Sequence, residues 1–308
     1  MNKKKLYSIL TIVVLLLLIF GKGFFSGVSL PEFKKWEEDP KIVTIYRPGG
    51  DVLKLEKKDD KWYINNTDMV ASETEAETIV SKLKTLKIFD RVSSSDDASY
   101  RYELDEEQAI RVTIESANNK LFEIMVGKQS TGMNQSYVKF VDDSSIYLAG
   151  TITPRDLRKS VFEMRSKEIA RFSYRDIESF SVSYEGSSFT LLPYDEEVEA
   201  PDGTVQNERR WKFKTGSEKV NMNSAIAMMN AVNPFIADQL SEEAIEDVSD
   251  PLGVMEVVIN GKTVTINIVK KDDQKYYYLK RTDSDDVYKL YETRVNHIFR
   301  KKEALIAR

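Results

Sequence analysis

The sequence predicts an α+β chain of two tandem related domains, each an antiparallel sheet packed by one long helix, after an N-terminal transmembrane helix. Three observations predict it. Strand-like runs, a Trp-centred strand, an amphipathic helix and further strands occupy residues 41–165, and the same order recurs over 170–305. Within each span, short runs of period-two alternation surround a single stretch of helical period. An apolar segment near the N-terminus has the length needed to cross a bilayer. The expected boundaries are 1–25 for the cytoplasmic lysines and anchor, 26–40 for a stalk, 41–167 for the first repeat and 168–308 for the second.

The anchor comes first. Lys3-Lys4-Lys5 precede apolar residues from Leu6 to Phe20, and Phe24 and Phe25 follow a Gly-Lys-Gly break. Counted through Phe25 this is about 20 residues, or about 30 Å of helix, enough to span the hydrocarbon core. The flanking lysines hold that end in the cytoplasm and place the rest on the extracytoplasmic side. A cleaved signal peptide is the rival reading; no Ala-x-Ala follows, and Gly27-Val28-Ser29 is the nearest small-x-small match. In the stalk, Trp36 suits either a membrane interface or local packing.

The first repeat opens with strand 42–46, the turn Pro48-Gly49-Gly50-Asp51 and a returning strand at 52–55. Asp59-Asp60-Lys61 turns into Trp62-Tyr63-Ile64. Ser72 with Glu75 has the form of a capping box, and Ala76, Ile79, Val80, Leu83, Leu86 and Phe89 share one helical face, predicting a helix over 72–89. Strands follow at 110–114, 121–126, 137–141 and 146–148, and a closing helix at 154–167. In the second repeat Trp211-Lys212-Phe213 answers to the Trp62 strand, 223–239 to the helix, 255–259 to 110–114, Tyr277-Tyr278 to Tyr137-Val138, and 287–289 to 146–148. An acidic insertion at 195–199 precedes the turn Pro201-Asp202-Gly203. Pro234 ends or kinks the second helix near Asn233, and Asn260-Gly261 is the strongest hairpin signal in the chain.

Composition excludes several chemistries. The chain has no cysteine, so disulfides, thiolate metal sites and a cysteine nucleophile are ruled out. Its net charge of −5, with both signs interspersed, gives no footprint for nucleic acid. His297 is the only histidine and cannot build a multi-histidine zinc site; it reads as a closing-helix residue. Gly127-Lys128-Gln129-Ser130 lacks the upstream glycine and following helix of a phosphate loop. Asp272, Asp273, Asp283, Asp285 and Asp286 read as solvated hairpin tips rather than a calcium loop. Trp62 and Trp211 read as core residues under the helices. In Tyr276-Tyr277-Tyr278, alternation puts Tyr276 and Tyr278 on one face, making them the candidate partner-binding residues.

Asp90-Arg91-Val92, Tyr102-Glu103-Leu104-Asp105, Ile124-Met125-Val126-Gly127, Tyr137-Val138 and Ile146-Tyr147-Leu148 stand in an order that resembles the bacterial domain-of-unknown-function family 4340. Family members often show Tyr-Gly-Leu-Asp followed by Pro; here Glu103 stands in the glycine's place and no proline follows. The second repeat offers only Pro251-Leu252-Gly253 there. The resemblance implies an envelope protein with one N-terminal anchor, and some relatives resemble auxiliary proteins of gliding-motility-type ABC transporters that carry no nucleotide site. The expectation is a non-enzymatic membrane-anchored extracytoplasmic protein without cofactor or metal. It would serve as an accessory or scaffold subunit of an envelope complex such as an ABC-type transporter. The alternative is a ligand-binding module for a cell-wall or polysaccharide fragment held between the repeats; an envelope enzyme comes third.

Overall fold

The computed structural model describes Leu30, residues 36–199 and residues 204–307. The expected transmembrane segment and the Pro201-Asp202-Gly203 turn lie outside the described residues. Among the described residues no helix is long and apolar enough to cross a membrane. The chain divides into two compact units between Ser166 and Lys167.

In the first unit β1 (Ile42–Tyr46), β2 (Val52–Lys58) and β3 (Lys61–Ile64) form a meander. Helix α1 (Glu73–Lys84), β4 (Lys87–Ser93), β5 (Ile110–Glu115), β6 (Lys120–Gln129), β7 (Gln135–Phe140) and β8 (Ile146–Gly150) follow. They make one 8-stranded sheet in the order β3-β2-β1-β5-β6-β7-β8-β4. The turns carry the predicted chemistry: Gly49 and Gly50 hold φ of 83° and 84°, which glycine adopts without strain. Val43, Ile45, Leu53, Leu55, Val112 and Ile124 point into a core closed by Ala76, Ile79, Val80 and Leu83 of α1. Each such aliphatic contributes about 1.5–3 kcal/mol by burial, so Leu83→Ala would remove a large share of the helix's docking. Trp36 is part of this core, its ring 5.4 Å from Phe122, which decides for packing over a membrane interface.

The helix is shorter than its apolar period predicts. Ser72 caps it by accepting from the Glu75 amide, Glu73 and Glu75 sit at its positive end, and Lys82 and Lys84 at its negative end. Thr85 ends it, with its hydroxyl donating to Ser81 O. The chain then leaves as β4 because the edge of β8 offers an open ladder: Lys87 pairs with Gly150 and Asp90 with Leu148. Phe89 lies across Gly150, where a Cβ would meet its ring at 2.6 Å. The predicted closing helix is likewise two single turns, α2 (Pro154–Leu157) and α3 (Val161–Met164).

The second unit begins with β9 (Glu168–Ala170), β10 (Ile177–Tyr184), β11 (Ser187–Glu199) and β12 (Val205–Phe213), then α4 (Met222–Asn230), β13 (Phe235–Ile236) and β14 (Gln239–Leu240). It continues with β15 (Gly253–Ile259), β16 (Lys262–Lys271), β17 (Tyr276–Arg281), β18 (Val287–Tyr291) and α5 (Glu292–Ile298). Its 8-stranded sheet runs β12-β11-β10-β15-β16-β17-β18-β14, position for position the order of the first, and β13 pairs with β9 apart from it. Asn260 and Gly261 both hold positive φ, 50° and 71°, as a two-residue hairpin turn requires. Helix α4 stops at Asn230, ahead of Pro234, and the rest of the expected helix becomes β13 and β14. The helix of each unit is therefore shorter than expected, and most of each unit's regular structure is sheet.

Candidate functional site

A cleft of about 550 Å³ opens in the first unit between the end of β6 and the connector that follows β8. Lys128, Arg155, Arg158 and Lys159 line it with Glu103 and Glu163, beside Gln129 and Pro154. Four cations against two carboxylates make it locally positive on a chain whose net charge is −5. Arg155 and Arg158 are exposed and, among the described residues, have no hydrogen bond or ion pair. The half-buried Lys128 has its ammonium 5.7 Å from the Tyr102 ring.

The connector that carries the arginines is braced on every side. Asp156 Oδ2 accepts from the Thr153 amide and hydroxyl, each at 2.9 Å, and Glu163 Oε2 accepts from the Ser160 amide at 2.7 Å. Asp156 also pairs with Lys82 of α1, 2.6 Å away, and Lys159 pairs with Glu75. The Arg47 guanidinium donates to the carbonyls of Leu157, at 2.8 Å, and of Lys159. Burial pushes the Asp156 carboxyl up, but the bonds from Lys82 and Thr153 outweigh it and hold it below the ordinary range. Bonds from Ser160 depress Glu163 in the same sense. Both carboxylates stay charged and the backbone between them is fixed.

The motif from 102 to 105 builds the opposite wall. The Tyr102 ring lies 4.5 Å from that of Tyr137, Leu104 is buried, and Asp105 Oδ1 caps the next turn through the amides of Glu107 and Gln108. Glu103 sits between them at φ 56°, ψ 41°, the left-handed conformation that glycine adopts without strain. The turn thus places a side-chain-bearing residue at a left-handed position. Gly127 makes the docking possible: a Cβ there would lie 2.1 Å from Tyr102 O and 3.0 Å from Glu103 O. The Gly127-Lys128 pair thus seats a backbone and presents a lysine; β6 continues through it without a phosphate loop.

The residues singled out from sequence are placed as follows. Tyr278 is only 5% exposed, its ring between the Lys270 and Lys289 ammonium groups at 4.3 and 4.8 Å. Tyr276 is half-buried and meets its cross-strand neighbour Tyr291 at 5.4 Å. Exposed aromatic surface on this face therefore belongs to Tyr276 and Tyr291, with Tyr278 covered. Tyr277 faces inward, where Tyr184 donates to it at 3.1 Å; burial and that bond push the Tyr184 phenol up. Trp62 and Trp211 are each 1% exposed, donating to Glu77 at 2.9 Å and to the Tyr174 hydroxyl at 2.8 Å. His297 is exposed on α5 beside Arg300. Asp283 pairs with Arg281, Asp272 caps a turn, and no cluster able to hold a metal occurs among the described residues.

A second feature lies in the other unit. β11 and β12 stay paired from Leu191–Phe213 out to Glu199–Val205, whereas β10 leaves β11 after Leu191. The result is a two-stranded arm. Its outer part carries Asp195, Glu196, Glu197, Glu199 and Glu208 against Arg209 and Arg210, with Arg210 bridging Glu196 at 2.7 Å and Glu208 at 2.6 Å.

The family model described as Domain of unknown function (DUF4340) matches residues 62–258, and the chain belongs to that family. The match begins in β3 and ends in β15, running through both units as one span. No curated protein and no solved structure matches the chain.

Proposed function

We propose that this DUF4340 member is a non-enzymatic, membrane-anchored protein with its body on the extracytoplasmic side, an accessory or scaffold subunit of an envelope complex such as an ABC-type transporter. The observation that carries this reading is the β11–β12 arm. Its outer residues are exposed, and among the described residues their ladder has no third strand, which is the geometry that accepts an added strand from a partner. Five acidic side chains against two arginines direct the arm to a basic partner surface. The apolar segment behind Lys3-Lys4-Lys5 supports the anchor and orientation. The shared strand order supports two copies of one ancestral unit, from which only the second grew an arm. Tyr276 and Tyr291 supply a further patch on the same unit.

The test is co-purification of tagged full-length protein in mild detergent. A transporter permease recovered with the native chain and lost with Glu196→Lys/Glu197→Lys supports the reading. No permease, or equal recovery with the variant, refutes it.

A second reading, a binding module for a cell-wall or polysaccharide fragment, is favoured by the basic cleft. The cleft is built wholly within the first unit.

A further inference from the structure

We infer that the cleft beside Lys128, Arg155 and Arg158 binds the phosphate group of a phosphorylated polyol or sugar. The inference rests on the binding-module reading and gives it a ligand class. Two guanidinium groups and an ammonium face one cleft without an ion pair among the described residues, and guanidinium is the group best matched to phosphate oxygens. Cations that only solvate a surface need no fixed backbone, yet here the connector beneath the arginines is held by two capping carboxylates and by Arg47. That bracing limits the entropy lost when a ligand is gripped.

The carboxylates define the rest of the ligand. Glu103 and Glu163 in the lining repel an anion of high charge density but accept hydrogen bonds from hydroxyl groups. A single phosphate on a hydroxylated body satisfies both parts of the lining. The volume, about 550 Å³, falls in the range of small-ligand sites and exceeds what a bare phosphate fills.

The experiment is titration calorimetry on the detergent-solubilised full chain with sn-glycerol 3-phosphate, inorganic phosphate, glycerol and a neutral cell-wall oligosaccharide. Saturable binding of glycerol 3-phosphate, tighter than of phosphate, is expected. It should weaken on the order of tenfold or more in Arg155→Gln/Arg158→Gln, as lost charge-assisted hydrogen bonds do, and weaken with added salt. Arg175→Gln, an exposed arginine outside the cleft, should leave it unchanged. Because both cleft arginines are exposed, the double variant should melt with the native chain, so lost binding is not lost folding. Equal affinity for inorganic phosphate removes the polyol from the proposal. Binding of the neutral oligosaccharide alone overturns the phosphate site while sparing the binding-module reading, and no binding of any probe overturns both.

Discussion

Glu103→Gly should stabilise the first unit. At φ 56° a side chain crowds its own backbone, at a cost of about 1–2 kcal/mol that glycine does not incur. Glycine gives back part of this, about 0.4–1 kcal/mol, through the greater freedom of the unfolded chain. The Glu103 side chain makes no hydrogen bond or ion pair among the described residues that would be lost. The balance is about 0.5–1 kcal/mol in favour of the variant, which for a unit of this size raises Tm by roughly 2–4 °C. Calorimetric or circular-dichroism melting of native chain and variant measures it.

Glu103→Ala separates the causes. Alanine keeps the Cβ and therefore the conformational cost, so its Tm should stay near that of the native chain. Equal stabilisation by both variants would refute the backbone argument and assign the gain to removal of a carboxylate near Asp105, Glu106 and Glu107. An unchanged or lowered Tm in Glu103→Gly would refute it outright. Both variants take from the cleft a carboxylate that accepts from the polyol hydroxyls and repels phosphate, so both should narrow the preference for glycerol 3-phosphate over inorganic phosphate even though only one is stabilised.

Two further outcomes follow from the same wall and its brace. Gly127→Ala puts a Cβ 2.1 Å from the Tyr102 carbonyl, and because a backbone atom must move, a loss of about 1–3 kcal/mol is expected; faster hydrogen exchange across residues 96–108 would localise it, and native exchange there would refute the contact. Asp156 is held below its ordinary pKa of about 3.9, so its ionised form stabilises the fold above that value and the contribution disappears as pH falls through the folded pKa. Urea midpoints should therefore drop on acidification below about pH 4, and Asp156→Asn should be less stable at neutral pH yet show a shallower acid-side drop; an unaltered pH profile in the variant would contradict the assignment.

The strands were legible wherever one face is buried and turn residues bound the run. β5 and β15 alternate, and Asn260-Gly261 specified its turn outright. β4 was not legible, because most of its side chains are exposed and its extended form comes from pairing with β8 rather than from any period of its own. Its Phe89 happened to continue the spacing of α1, which lengthened the expected helix. The cleft was hidden for a related reason. Read as one helix, the stretch 154–167 puts Arg155 and Arg158 on an ordinary solvated face. A signal was present in Thr153–Asp156 and Ser160–Glu163, two capping pairs seven residues apart, each of which starts its own turn. Two starts so close require a break between them, and the break is where Arg158 is displayed.

The two units agree in more than strand order. In the first, the capping residue Ser72 donates its amide to Met164 O at 2.7 Å, and Ala71 bridges to Arg165. In the second, the capping residue Asn221 donates to Leu305 O at 2.8 Å, and Val220 bridges to Ile306. In both, the segment after the last long strand returns to close the helix's N-terminus, so the closing segment occupies the same place in each plan. The arginines it carries behave differently. Arg294, on α5 of the second closing segment, pairs with Asp238 at 2.7 Å and donates to Ile236 O at 2.6 Å. Arg155 and Arg158, on the first, have no such partners among the described residues. One frame thus holds its closing cations within its own fold and extends an acidic arm; the other leaves them open over a cleft. Adding a carboxylate to the cleft tests whether that difference matters: Gln129→Glu, in the same lining as Arg155 and Arg158, should weaken phosphate binding without lowering Tm, and unaltered binding would separate the cleft's charge from its function.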